Sequence, residues 1–207
     1  GGADLFIAKY DANGNKLWSR QFGSTADDIP DTLSFGLSLD SSGNAYVAGY
    51  TGGGLDGQTN LGNIDAFIVK YDKDGNRKWT RQFGTTLSDY AKAVSVDPSG
   101  NAYVAGYTTG GLDGVSAGNN DLFVVKYDAS GNQLWKKQMG TSADEYAYGV
   151  SVDAFGNAYV TGSTGGGLDG NVSSGGNDLF VVKYDASGTK LWTRQSGTSG
   201  ADVARGV

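Results

Sequence analysis

The stretch Asp-Leu-Phe-Val-Val-Lys-Tyr-Asp at residues 121–128 decides the fold of this chain. Its residues 122–125 are apolar in succession, whereas a strand with one solvated face alternates apolar and polar residues. The stretch therefore predicts a strand buried on both faces, as in a sheet packed between two others. The same pattern returns at residues 178–185, 65–72 and 4–11.

The whole chain repeats in step with this stretch. Its tryptophans recur about every 57 residues, at Trp18, Trp79, Trp135 and Trp192. The repeat units lie near residues 3–63, 64–119, 120–176 and 177–207, of which the last is partial. No segment has helical periodicity. Residues 1–207 are therefore expected to form a single β-propeller or part of one.

Each repeat is predicted to hold four short strands. In the last complete set they fall at residues 146–153, 157–164, 178–185 and 190–195. Turns of the pattern Asp-x-x-Gly-Asn, such as residues 97–101 and 72–76, are typical of hairpins, because Asp bonds the backbone ahead of it and Gly takes a positive φ. These features predict an all-β fold, a β-propeller of tandem four-stranded antiparallel blades of about 57 residues.

Three motifs carry a resemblance to a known family. They are Gly-Asn-Ala-Tyr-Val-x-Gly at residues 100–106, Asp-x-Phe-x-x-Lys-Tyr-Asp at 121–128 and Gly-x-x-x-Trp at 131–135. The chain resembles the bacterial β-propeller repeat family of SBBP type, which implies a propeller of secreted or cell-surface bacterial proteins, mostly without an assigned activity. It is also weakly similar to tryptophan-docking-motif propellers of quinoproteins, but its turn is one residue shorter, so no quinone cofactor is implied.

The chain is out of phase with the blades. It begins, without Met, on the third strand of one blade, and residues 201–207 match only the first strand of a further unit. An incomplete ring exposes strand edges and apolar blade faces. We therefore expect a homo-oligomer, or a longer propeller of which this chain is a piece.

Composition argues against several functions. The 16 basic and 22 acidic residues give a net charge of −6 without a basic cluster, so nucleic acid is not an expected partner. No apolar run reaches the roughly 20 residues of a membrane span. Cys and His are absent, which removes thiolate metal ligands and the usual general base. With no nucleophile and base to pair, the sequence predicts a protein that is not an enzyme.

Two sets of loops are expected on one face of the propeller. The connections between blades carry acidic residues, which we predict to bind a ligand: Asp28, Asp89, Glu145 and Asp202. The Gly-rich loops between the second and third strands hold oxygen ligands suited to calcium: Asp113, Asn120 and Asp121, with their equivalents Asp169, Asn177 and Asp178. The alternative is that these residues make turns and cap strand ends.

A cation and an amide follow each tryptophan, as in Trp79, Arg81 and Gln82. An aromatic ring beside a cation suits a sugar site between blades, but the recurrence in every copy favours packing between sheets.

The expected function is a non-enzymatic binding or scaffold module of a secreted or cell-surface protein that acts through an acidic, Gly-rich loop face. The alternatives are a carbohydrate-binding, lectin-like propeller and the non-catalytic propeller of a larger hydrolase. The partner is expected to be a protein or a glycan, and calcium is the one cofactor suggested.

Overall fold

The computed structural model describes residues 4–26 and 36–207. The strands are β1 (Leu5–Tyr10), β2 (Lys16–Phe22), β3 (Gly36–Leu39), β4 (Ala45–Thr51), β5 (Asp65–Tyr71), β6 (Arg77–Phe83), β7 (Asp89–Val96), β8 (Ala102–Thr108), β9 (Asp121–Tyr127), β10 (Gln133–Met139), β11 (Glu145–Val152), β12 (Ala158–Thr164), β13 (Asp178–Tyr184) and β14 (Lys190–Ser196). A short 3-10 turn covers Leu168–Gly170. Within the described ranges no helix is long and apolar enough to cross a bilayer.

The strands form the predicted blades. The first blade holds β1 and β2, and the second, third and fourth hold β3–β6, β7–β10 and β11–β14, each paired antiparallel in chain order. The all-β class and the four-stranded repeat are therefore confirmed, and strand ends differ from the predicted ones by about one residue. The sheets do not close into a ring.

One predicted strand is wrong. Residues 201–207 form no strand, although they match the first strand of a repeat. They lie along the fourth blade, where Asp202 N donates to Asn177 O and Ala204 N to Gly162 O. A strand needs a partner in its own sheet, and the described chain supplies no second strand with which these residues could pair.

Apolar side chains hold successive blades together. All residues of β5 and β9 are buried, which confirms that the third strand of the second and third blades is covered on both faces. Between the second and third blades, Phe83 meets Phe123 edge-on with ring centroids 5.7 Å apart. Complete burial of one such side chain stabilises the fold by about 1.5–3 kcal/mol. Near the centre, β7 contacts β3 and β4, and β11 contacts β7 and β8.

The Asp-x-x-Gly-Asn turns have the predicted chemistry. Asp97 Oδ1 accepts from the amides of Ser99 and Asn101 at 2.9 Å, and Asp97 Oδ2 accepts from the Asn101 side chain. Gly100 has a φ of 80°, a conformation in which a side chain is strained. The turn therefore fixes the register between β7 and β8.

Candidate binding site on the loop face

One edge of the sheets carries both sets of variable loops, as predicted. The first strand of a blade begins there and the second strand ends there, because Asp89 pairs with Thr108 and Glu145 pairs with Thr164. The connection from the preceding blade arrives at this edge, and the Gly-rich loop leaves from it. We call this edge the loop face.

The predicted ligand-binding acids mostly lie beneath the loop face. Asp89 and Glu145 are fully buried. Asp89 Oδ2 accepts from the Thr85 amide at 2.6 Å, and Glu145 Oε2 accepts from the Thr141 amide at 2.6 Å. Asp202 is half-buried and holds Thr198 in the same way. Asp28 lies outside the described residues. The carboxylates of Asp89, Glu145 and Asp202 therefore hold the connections between blades in place through backbone amides.

The buried acids lie beside acids of the preceding blade. Burial is the main cause that raises the pKa of Asp89, and the neighbouring Asp65 charge raises it further. Burial likewise raises the pKa of Glu145, with a contribution from Asp121. Threonine hydroxyls and amides oppose both shifts, for example the Thr141 and Thr164 hydroxyls at 2.7 Å from Glu145 Oε1.

The calcium candidates have different surroundings. Asp121 and Asp178 are buried, and each Oδ2 caps its own Gly-rich loop and accepts from a glutamine at 2.7 Å. Asp113 is exposed, and Asp169 forms an ion pair with Lys190. Asn120 donates to Asp144 and Tyr146, whereas Asn177 accepts from the Asp202 amide through its carbonyl. No group of three or more Asp or Glu side chains placed to hold a metal ion occurs in the described ranges.

The tryptophans pack between blades. Trp79 Nε1 donates to Ala129 O of the next blade at 3.1 Å, and Arg81 Nε donates to Gly131 O at 2.7 Å while its guanidinium lies over the Trp79 ring. The ring and the cation that would form a sugar site are thus engaged by the neighbouring blade.

A row of tyrosines at the loop face escaped the sequence analysis. Tyr50 meets Tyr90 at 4.9 Å, Tyr90 stacks on Tyr107 at 4.8 Å, and Tyr107 meets Tyr146 at 4.8 Å between ring centroids. Tyr148 continues the row at 6.1 Å from Tyr146. Each of the first four lies one residue from the loop-face end of its strand. We call these five residues the tyrosine row.

Two cations flank the tyrosine row. Lys92 Nζ lies 4.7 Å from the Tyr50 ring centroid and 5.4 Å from those of Tyr90 and Tyr107. The Arg205 guanidinium lies 5.3 Å from the Tyr148 ring centroid. Lys92, Tyr148 and Arg205 also line an open depression of about 530 Å³ between the first strands of the blades. One ring of the tyrosine row and both cations therefore line this depression, and the other four tyrosines lie beside it.

The repeat itself contained a signal for this row. Tyr50 and Tyr107 occupy the same position of the repeat, which holds Ser163 in the fourth blade, and Tyr90 and Tyr146 share another. Tyr50 meets Tyr90 and Tyr107 meets Tyr146 across adjacent blades, and Tyr50 is only 4% exposed, so these rings also pack between blades.

The sequence matches the model of one known protein family. The β-propeller repeat family (SBBP) matches residues 17–56, 78–113 and 134–169, together just over half of the chain. The chain belongs to this family.

Two curated relatives contain a region similar to this chain. An uncharacterised WD repeat-containing protein of Acanthamoeba polyphaga mimivirus is 29% identical over 94% of this chain and 18% of the relative. The regulatory protein FlaEY of Caulobacter vibrioides is 26% identical over 92% of this chain and 22% of the relative. The chain thus spans about a fifth of the length of these relatives.

Two solved structures resemble this chain with low TM-scores and low sequence identity. A protein of unknown function from Bacteroides caccae has a TM-score of 0.39 at 14% identity, over 93% of this chain and 75% of that one. A luciferin-regenerating enzyme has a TM-score of 0.41 at 12% identity, over 93% of this chain and 56% of that one. Neither likeness carries a functional argument.

Proposed function

We propose that this propeller repeat domain is a non-enzymatic binding module that holds a segment of a partner protein against the tyrosine row. The observation that carries the proposal is the row itself. It contains five tyrosines from three blades along the loop face, and the ring centroids of each consecutive pair are 4.8–6.1 Å apart. Tyrosine offers a large, rigid ring together with a hydroxyl, and it is enriched where proteins bind proteins.

A cation gives the surface its chemical preference. The Arg205 guanidinium lies over the Tyr148 ring at the edge of the depression, so that acidic or carbonyl-rich segments are favoured there. The buried acids Asp89 and Glu145 serve the site by holding the blade connections in place, and the ligand contacts come from the tyrosines.

A glycan is the second candidate ligand. Tyr90 and Tyr107 are stacked at 27° between ring planes, and Tyr146 and Tyr148 at 15°, so an outer ring face of each stacked pair is the part that a sugar could contact. Such surfaces suit the apolar faces of sugar rings. The site in this proposal lies at the tyrosine row and not at the interblade tryptophans.

Location and cofactor are further proposals. We propose that the module belongs to a secreted or cell-surface protein, which the resemblance to bacterial surface propellers supports. A scaffold role agrees with the repeated architecture, whose blades offer equivalent loops in series. We propose that calcium, if bound at the Gly-rich loops, stiffens this face, where the candidate ligand Asn120 also donates to the Tyr146 hydroxyl.

The test compares two ligand libraries on the same variants. A displayed random peptide library is selected on the chain, and the chain is also applied to a glycan array. We expect selected peptides to lose at least about ten-fold in affinity when Lys92→Ala and Tyr148→Ser are combined. The control Tyr10→Ser, an exposed tyrosine of β1, should leave affinity unchanged.

Two results would count against the peptide proposal. Peptides that bind the wild type and the double variant equally would place their site elsewhere. Glycans that bind with dependence on Tyr148, in the absence of any enriched peptide, would favour the carbohydrate alternative.

A further inference from the structure

The chain has a single methionine, and it lies where the third blade meets the fourth. Met139 is the last residue of β10, the outer strand of the third blade, at a position that holds Phe22 in the first blade and Phe83 in the second. Its side chain is half-buried and packs against the apolar cluster between the two blades. An aromatic ring is thus replaced here by a thioether, which is flexible, polarisable and open to oxidation.

A cleft gives small molecules access to this side chain. It has a volume of about 450 Å³ and lies between β10 and the hairpin turn of the fourth blade. Met139 lines it together with Lys137, Tyr184 and Lys190. A small oxidant can therefore approach the thioether from solvent.

One cation lies against the sulfur atom. Lys190 Nζ is 3.9 Å from Met139 Sδ, across the junction between the third and fourth blades. The same ammonium group forms an ion pair with Asp169, in the Gly-rich loop of the fourth blade. The neighbouring Leu168 anchors that loop, because its side chain is fully buried in the apolar cluster against which Met139 packs. Met139 thus adjoins both contacts that seat the loop.

The ion pair accompanies a strained backbone. Asp169 has a φ of 55°, a left-handed conformation that a residue with a side chain rarely adopts. The second blade repeats the arrangement, with Asp56 at a φ of 50° and an ion pair to Arg77. In both blades the cation is the first residue of the outer strand.

The third blade lacks this cation. Gln133 is the first residue of its outer strand, and Asp113, the equivalent aspartate, is exposed and has no positive φ. Its Gly-rich loop is also one residue shorter than that of the fourth blade. Among these three blades, the left-handed aspartate therefore occurs where a cation of the outer strand pairs with it.

We propose that Met139 is a site of reversible oxidation, and that its sulfoxide loosens the Gly-rich loop of the fourth blade. The oxidant is a peroxide: its O–O bond breaks, one oxygen bonds to Sδ, and the other leaves as water. Sulfur loses two electrons and the peroxide gains them. The sulfoxide is polar, so it packs poorly against the cluster that holds Leu168, and its oxygen competes with Asp169 for the Lys190 ammonium group.

Hydrogen peroxide tests the oxidation itself. Mild treatment should add one oxygen atom to the chain, and mass spectrometry of peptides should place it on Met139 at a rate within about ten-fold of that of free methionine. Met139→Leu is the matched control, because leucine has a similar volume and cannot accept the oxygen. A Met139 that stays reduced while free methionine in the same solution is consumed would overturn the proposal.

Hydrogen exchange tests the effect on the loop. The amides of Leu168 and Asn171 are hydrogen-bonded, to Gln195 Oε1 and Leu168 O. In the oxidised chain they should exchange at least about ten-fold faster, whereas the loop of the second blade, residues 52–64, should not change. Reduction by the two methionine sulfoxide reductases, one for each epimer, should restore slow exchange. Peroxide-treated Met139→Leu should keep slow exchange throughout.

Lys190→Gln tests the route through the cation, because it gives the fourth blade the residue that the third blade carries. Its loop should exchange faster than that of the wild type before oxidation, and oxidation should add less. Unchanged exchange of the fourth-blade loop after oxidation of Met139 would overturn the proposal, and so would an equal increase in the loops of both blades. Slow exchange in Lys190→Gln would exclude the ion pair as the contact that seats the loop.

Discussion

At the scale of single residues, glycines and carboxylates are fitted to each other where blades join. A Cβ on Gly140 would lie 2.0 Å from Asp121 Oδ1 and 2.9 Å from Glu145 Oε2, and Gly84 is placed likewise between Asp65 and Asp89. The Asp121 Oδ1 atom is buried and has no hydrogen-bond partner. Asp121 and Glu145 thus share a small buried space that only glycine leaves open, and after burial itself the Asp121 charge contributes to the raised pKa of Glu145.

Glu145→Gln should remove a contribution to stability that falls as the pH rises. Because its pKa is raised above the ordinary 4.5 in the folded state, Glu145 stabilises the fold most below pH 4.5, and that contribution is lost as the pH rises through the raised pKa. The difference in unfolding free energy, wild type minus variant, should therefore fall from acid to neutral pH in urea titrations.

The wild type and the variant must be compared at each pH, because the aspartates of the hairpin turns change stability with pH in the opposite direction to Glu145. The Asn132 side chain, as the largest cause, lowers the pKa of Asp128, so the stability from that turn is lost as the pH falls through the lowered pKa. A difference between wild type and Glu145→Gln that grows with pH would contradict the assignment of Glu145.

At the scale of single elements, the hairpin turns join strands within a blade and also touch the preceding blade. The Tyr46 hydroxyl donates to Gly100 O at 3.1 Å, and the Tyr103 hydroxyl donates to Gly156 O at 2.9 Å. A turn of five residues thus sets both the register of its own strands and the seating of the adjacent sheet.

Asp97→Ala should cost about 2 kcal/mol of unfolding free energy, because it removes a buried carboxylate that accepts from two backbone amides and an Asn side chain. Thermal or urea denaturation of the purified variant measures this. Asp11→Ala is the control, since it removes the same bonds from an exposed turn that no blade covers, and it should cost less. Equal losses would mean that the contact between blades adds nothing to the turn.

At the scale of the whole molecule, stability is a sum over blades and the junctions between them. Within residues 4–26 and 36–207, the inner blades have junctions on both sides, whereas the first blade has two strands and one junction. Phe6 and Tyr10 of the first blade are exposed, and among the described strands β1 pairs only with β2. The first blade is therefore expected to be the least stable part of the fold.

Hydrogen exchange should report this gradient directly. Amides of β1 and β2 (Leu5–Phe22 together) are expected to exchange at least about ten-fold faster than those of β8 and β9, because opening the first blade breaks a single junction. Mass spectrometry of proteolytic fragments after timed labelling measures the rates. Equal protection of the two regions in a monomeric sample would mean that the blades unfold as one unit.

Much of the fold could be predicted from the sequence because its determinants are local and repeated. The consecutive apolar residues 122–125 specify a strand covered on both faces, and Asp97 with Gly100 specifies a hairpin within five positions. The blade count within the chain followed from the same periodicity. Residues 201–207 were the exception, because a strand needs a partner as well as a pattern.

The candidate site was only partly predictable, since acidity of a loop does not specify where its carboxylates point. The sequence located the variable loops on one face, but packing turned Asp89 and Glu145 inward to hold the loop amides. It also brought Tyr50, Tyr107 and Tyr146 together from three blades.

By itself, the sequence determined the repeat, the all-β class, the hairpin turns and membership of the β-propeller repeat family, because each depends on residues close together in the chain. Only the tertiary structure decided which acids are buried and which tyrosines meet. Those properties arise between blades, where side chains separated by a whole repeat compete for the same space and the same hydrogen bonds.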